Sequence, residues 1–250
     1  MFVSDLGGGG WDISGYVSTD RWYHGHLHIS AYSRRVFGHE QMARARVIYG
    51  GVDGERYSPD ARVARSGRVL YVGRVLPHKG VDDLVAALPP GLGLDIVGRV
   101  TDERFGLHLR TLADGKDVRF RHDVADDGLV RAYREALCIV LPSVYRAYDG
   151  STSNVPELLG QTLLEGMACG LPAVCTDVAS MPEIVTHGET GFVVPPNDPA
   201  TLGARLAELA ADPARAEAMG RRARADVLER FSWKRVVDRC LRAYAGQPDS

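Results

Sequence analysis

Two carboxylates, Glu157 and Glu165, stand with seven residues between them in the stretch Glu157–Pro172, which reads ELLGQTLLEGMACGLP and carries Gly160 between the two acids. Leu163, Leu164, Met167 and Ala168 recur at helical spacing, so a helix is expected from Gly160, with Gln161, Thr162 and Glu165 sharing its polar face. The opening of such a helix leaves N–H groups unpaired and carries partial positive charge, and a glycine there lets an anion approach the backbone. Glu157 would lie in the loop before that anion and Glu165 on the second turn behind it. A phosphate carrying two hydroxyl-rich groups, as in a nucleotide-sugar, suits this arrangement. An ordinary surface helix with two glutamates and a Gly/Pro stop also suits the spacing.

A second cluster lies upstream. The run Gly73-Arg74-Val75-Leu76-Pro77-His78-Lys79-Gly80 puts two cations on a glycine-flanked turn that opens a helix. Two cations and a helix N-terminus make a clamp for a diphosphate, since one charge pair at ~4 Å contributes about 4 kcal/mol at an effective dielectric near 20, before desolvation. No GxxxxGK[ST] run exists, and Gly91-Leu92-Gly93 precedes its strand where a dinucleotide fingerprint would follow one.

The elements that must position these groups alternate from Arg68 onward. Apolar runs at 69–72, 94–97, 118–120, 138–141, 173–175 and 191–194 read as strands buried on both faces. Helices are expected at 81–88, 105–112, 129–136, from 160, and briefly at 182–185. Such alternation specifies an α/β, Rossmann-like, doubly wound parallel sheet, whose ligands bind outside the carboxyl ends of the strands. The loops holding Arg74, Lys79 and Glu157 fall on that rim. Asp198-Pro199 and Asp212-Pro213 open two further helices, and Ser232 is expected to cap a last helix with the apolar stripe Val236, Val237, Cys240, Leu241 and Tyr244.

The Glu157–Glu165 pattern, followed by Met167-Ala168-Cys169-Gly170-Leu171-Pro172, resembles the signature of the family 4 retaining glycosyltransferases of the GT-B fold. Ile29–Arg34, Val47–Asp53, the Tyr57-Ser58-Pro59 run and Phe231-Ser232-Trp233 are similar to the segments by which that family crosses between its two domains. The resemblance implies transfer of a sugar from a UDP- or GDP-linked donor to an acceptor hydroxyl on a glycan, lipid or small molecule, with retention and without a cofactor or metal. It implies roles in polysaccharide or glycoconjugate assembly. It assigns Glu157 to the donor sugar, Glu165 to the ribose, and Gly73, Arg74, Lys79, Gly160, Gln161 and Thr162 to the diphosphate. Arg121 and His122, after the third of these strands, are expected at the base pocket, where relatives often have glycine.

The resemblance also sets the expected domains: 1–50 as the remnant of an N-terminal acceptor domain, 51–67 as linker, 68–230 as the nucleotide-sugar-binding domain, and 231–250 as a helix crossing back. Most of a first α/β domain is expected to be missing. The histidine that many relatives carry after their corresponding strand is replaced here by Asp5 and Leu6. A non-catalytic nucleotide-sugar-binding module is the alternative reading, and the terminal stripe, if left uncovered, invites a partner or self-association.

A chain of 250 residues with a net charge of -2 buries a sizeable core and does not suit general nucleic-acid binding. Cys138, Cys169, Cys175 and Cys240 show no CxxC spacing and read as reduced core residues of a cytoplasmic protein. No basic leader or bilayer-length apolar run is present, which leaves peripheral membrane contact open. Gly7–Gly10 reads as a flexible connection more readily than as a phosphate cradle, and the alternating His24, His26 and His28 would share one strand face without a recognisable fourth metal ligand. A glycoside hydrolase would also use paired carboxylates but needs no cationic clamp. A metal hydrolase would need those histidines.

Overall fold

The computed structural model describes residues 2–5 and 22–247. Gly7–Gly10 fall outside the described residues. Among the described residues nine strands form two parallel sheets. The smaller sheet joins β1 (Phe2–Asp5), β2 (Gly25–His28) and β3 (Ala45–Val47) in that order. Helix α1 (Ala31–Val36) connects β2 to β3, and Ser30 caps it by accepting from Ser33 N at 2.9 Å. These strands had only a partial signature in the sequence, because each is three or four residues long and two of the four in β2 are histidines.

The larger sheet comprises β4 (Val69–Val72), β5 (Leu94–Val97), β6 (Val118–Arg121), β7 (Cys138–Leu141), β8 (Ala173–Thr176) and β9 (Gly191–Val194), in the spatial order β6-β5-β4-β7-β8-β9. Every neighbouring pair is parallel. Helices α2 (Val81–Ala87), α3 (Glu103–Leu112), α4 (Asp126–Glu135), α5 (Gln161–Ala168), α6 (Met181–Ile184), α7 (Pro199–Ala211) and α8 (Pro213–Arg230) cover it. The strands are apolar throughout in β4 and β7 because both faces are covered, and the core runs continuously from Tyr71 and Ile139 to Leu164 and Met219. This is the α/β, parallel-sheet fold expected for residues 68–230. The chain reverses its direction of winding at β4, whose sequence successor β5 lies on one side and β7 on the other. A crevice for ligands opens at such a switch point, beyond the carboxyl ends of the strands.

Asp198 and Asp212 cap α7 and α8 through Thr201 N and Arg215 N, at 3.0 and 2.9 Å. Ser232 precedes α9 (Trp233–Tyr244), but its side chain makes no capping hydrogen bond, contrary to expectation. Helix α9 returns to the smaller sheet, where Val236, Ala243 and Cys240 pack on Leu27 and Ile48. Among the described residues no helix is long and apolar enough to cross a membrane.

Candidate functional site

The loops after β4 and β7 meet at the switch point. The first passes through Gly73 and Arg74 into a tight turn at Pro77–Lys79, and ends on Gly80 at φ 62°, where a Cβ would lie 2.1 Å from the Pro142 carbonyl oxygen. Only glycine permits that approach, so the two loops lock together. Lys79 is buried by this packing. Its Nζ donates to Glu157 Oε2 at 2.7 Å and to the Pro156 carbonyl at 2.8 Å. A buried ammonium with three donors thus has two of them on these acceptors.

The rest of the rim surrounds that pair. The Tyr71 hydroxyl donates to the Arg74 carbonyl at 2.7 Å, and burial together with the nearby Glu157 charge pushes this phenol up, with Arg74 opposing. Burial and the cations of Lys79 and Arg74 push His78 down, against Glu157, so the imidazole is held neutral at the rim. Arg74, His78, Lys79 and Glu157 therefore share one electrostatic neighbourhood. Gly160 adopts φ 86° and opens α5, whose first N–H groups lie directly after the loop that carries Glu157.

Glu165 sits one turn further, half-buried, where its Oε2 accepts from Tyr133 Oη at 2.7 Å. Burial raises its affinity for a proton, while hydrogen bonds from Tyr133, Tyr57 and Gln161 oppose that. The Gln161 amide also donates to the Gly51 carbonyl at 3.0 Å, tying the start of α5 to the segment that crosses between the sheets. Thr162 is half-buried beside it.

The structure separates the remaining two candidates. His122 lies at the rim, with Nδ1 3.1 Å from the Gly98 carbonyl, and Gly98 in turn abuts Gly73 so closely that a Cβ would meet the Gly73 oxygen at 1.9 Å. Arg121 does not join this rim. Its guanidinium turns back along the sheet to Asp95, 3.7 Å away, beside the Arg68 ion pairs. Strand alternation explains this, because Arg121 is a diagonal neighbour of Asp95 on the same sheet face. The three histidines also part company. His24 is exposed, whereas His26 and His28 are buried with His39, and His28 Nε2 lies 3.0 Å from His39 Nδ1. Among the described residues no group of three or more His, Cys, Asp or Glu is arranged to hold a metal ion.

Residues 61–226 match the family described as glycosyl transferases group 1. The chain belongs to this family. It is 32% identical over 212 residues to the glycogen synthase of Mycobacterium tuberculosis, covering 81% of this chain and 49% of that protein. It is 30% identical over 225 residues to the D-inositol 3-phosphate glycosyltransferase of Streptomyces bingchenggensis, covering 80% of this chain and 47% of that one. The chain thus spans about half the length of these curated relatives. Among solved structures, the sucrose-phosphate synthase of Thermosynechococcus elongatus superposes with a TM-score of 0.74 at 25% identity, over 88% of this chain and 57% of that one. Anabaena HepE in complex with UDP and glucose superposes at 0.80 over 93% of this chain and 66% of that one; at 21% identity this shows the fold alone, a GT-B Rossmann-like α/β fold.

In this member of the group 1 family, Tyr71, His78, Tyr133 and Tyr57 are the site neighbours that sequence reasoning did not single out. Tyr71 carries a usable signal, since a tyrosine inside an apolar run must find a partner for its hydroxyl when buried, and Tyr133 falls at helical spacing from Leu129 and Val130. Tyr57 and His78 carry none.

Proposed function

We propose that the chain binds a nucleoside diphosphate sugar at the β4–β7 switch point and is the donor half of a glycosyltransferase, moving the sugar to an acceptor hydroxyl with retention of configuration. The observation that carries this reading is the buried Lys79–Glu157 pair beside the left-handed Gly160 that opens α5. In this reading the third Lys79 N–H, Arg74 and the amides at Gly160–Thr162 take up the diphosphate. The reaction expels that diphosphate from an oxocarbenium-like centre, so stabilising the leaving group lowers the barrier most. Glu157, oriented by Lys79, accepts from the sugar hydroxyls and so fixes the anomeric carbon. Glu165, held by Tyr133, accepts from the ribose, and Gly73 lets the backbone near the phosphates. His122 and Gly98 border the base.

In this proposal residues 1–50 contribute the acceptor side, 51–67 link it to the donor domain, and 231–250 cross back. The donor is UDP- or GDP-linked, no metal or other cofactor takes part, and the protein works in the cytoplasm. The acceptor is a glycan, lipid or small molecule. Calorimetric titration with UDP, GDP and their sugars tests the donor site, with micromolar binding of one series expected and the contribution of the attached sugar lost in Glu157→Gln. Release of free sugar or transfer to simple acceptors, measured alongside, separates a transferase from a module that only binds. No heat of binding with any nucleoside diphosphate would remove the proposal.

A further inference from the structure

The turn that carries Lys79 presents two further nitrogen groups that the protein itself does not engage. Arg74 is exposed and His78 half-buried, and among the described residues neither the guanidinium nor the imidazole makes a hydrogen bond or an ion pair. The backbone between them is held firmly. The His78 carbonyl accepts from Val144 N at 2.9 Å, Lys79 N donates to the Leu76 carbonyl at 2.9 Å, and Gly80 abuts the Pro142 carbonyl on the loop after β7. His78 is thus fixed by its main chain next to the Lys79–Glu157 pair, while both ring nitrogens are left to water or a ligand.

The charges around the ring decide which ligand suits it. Arg74 and Lys79 flank it on its own turn, Glu157 faces it from the loop after β7, and the two cations outweigh the one acid. Tyr71, below on β4, is a buried phenol held neutral. The acids that open α2 are governed by other groups, Asp82 by burial with His108 and Asp149 nearby, and Asp83 by burial with Asp82 and Asp198. Burial and the two cations therefore keep the imidazole neutral in the free chain. A diphosphate brought between Arg74 and Lys79 reverses that balance, because its negative charges favour the imidazolium.

We infer that His78 is a further ligand of the diphosphate and takes up a proton from solvent when a nucleoside diphosphate sugar binds. The inference rests on the donor-site reading above and adds a residue to it. As an imidazolium, His78 donates an N–H to a phosphate oxygen beside Arg74 and Lys79. When the bond from the anomeric carbon to the diphosphate breaks, its electron pair stays on the phosphate oxygen. The leaving group thereby gains a negative charge, which the new cation stabilises.

A sugar nucleotide is the right probe, because each of its phosphates keeps one acidic oxygen that is ionised throughout the neutral range, so the ligand itself exchanges no proton. UDP-glucose and GDP-mannose are titrated calorimetrically into the full chain near pH 7 in buffers of different ionisation enthalpy, where the dependence of the heat on the buffer counts protons. Uptake of a fraction of a proton is expected, with an affinity about tenfold higher at pH 6 than at pH 8, the effect of about half a proton averaged over that window. In His78→Asn both should vanish, leaving weaker binding that does not respond to pH. The histidine resonance missing from the proton NMR spectrum of that variant should titrate at higher pH in the native chain when the sugar nucleotide is bound. Thermal unfolding reports whether the variant is folded, and His78→Gln replaces it if it is not. Binding without proton uptake by the native chain, or uptake that persists in a folded variant, would overturn the inference. Absence of binding by both sugar nucleotides would instead remove the donor-site reading on which it stands.

Discussion

At the scale of single residues the site depends on a cation with almost no water around it. Lys79 and Glu157 have side chains only 10% and 18% exposed, so each is the main counter-charge available to the other. Removing the ammonium leaves a carboxylate without its partner and deletes the proposed phosphate donor. Lys79→Ala should therefore weaken nucleoside diphosphate binding by about 2–5 kcal/mol, the range for truncating one partner of a buried charge pair. Calorimetry checks this; unchanged affinity would show that the diphosphate binds elsewhere. A second residue speaks to pH. Burial, with Asp82 and Asp198 nearby, pushes Asp83 from 3.8 up to about 6. Between these two values the folded chain holds a proton that the unfolded chain has lost, so the contribution of Asp83 to stability falls as pH rises through that window. Asp83→Asn removes this dependence. With the shift discounted for the part of the group that water screens, the variant should be about 1 kcal/mol more stable near pH 7 and no different near pH 3. Thermal unfolding at the two pH values measures it.

At the scale of elements, two glycines position the site for different reasons. Gly80, at φ 62°, has the Pro142 backbone oxygen 2.1 Å from where a Cβ would be, whereas Gly160, at φ 86°, has only the end of the Leu163 side chain at 3.2 Å. Alanine at Gly80 therefore meets both backbone strain and an immovable neighbour, and should cost roughly 3 kcal/mol of stability, while at Gly160 strain alone costs about 1–2 kcal/mol. Chemical denaturation of the two variants should preserve that order. Much of this frame was legible in the sequence. Strands buried on both faces leave unbroken apolar runs such as Cys138–Leu141, and Asp-Pro pairs mark the starts of α7 and α8. Other features left no such trace. Periodicity placed an apolar stripe on α9 without telling that Val236 would pack while Val237 would not. A strand end at Arg121 placed its backbone on the rim, but a long side chain reaches back to whichever acid the register offers, here Asp95. The partners of Glu165 come from Tyr57 and Tyr133, far away in the chain, and no local pattern announces such a meeting.

At the scale of the whole molecule the two sheets are held by a joint built around one carboxylate. Glu183, on α6 of the larger sheet, accepts from Ala31 N at 2.8 Å and Tyr32 N at 2.7 Å, so it caps α1 of the smaller sheet from 151 residues away. Its backbone carbonyl accepts from Arg230, and its side chain reaches Tyr49, which adopts the left-handed φ of 59° where the chain leaves the smaller sheet. The Tyr49 ring is fixed edge-on to Phe231 at 5.2 Å, with Arg239 over its face at 5.1 Å. A tyrosine keeps that backbone conformation only where its surroundings determine it. The joint thus couples three elements that lie far apart in sequence: the start of α1, the crossing segment and the turn before α9. Glu183→Ala removes both acceptors at once, leaving two N–H groups without partners, and hydrogen bonds to a charged acceptor contribute about 1.5–3 kcal/mol each. The larger sheet does not need them, because its core is continuous without this contact. Hydrogen exchange should therefore show Ala31 and Tyr32 losing protection by about a hundredfold or more in Glu183→Ala, in line with those energies, while amides in β4 and β7 keep theirs. Equal loss across both sheets would mean that the chain unfolds as one cooperative unit and that Glu183 supports all of it, not the joint alone.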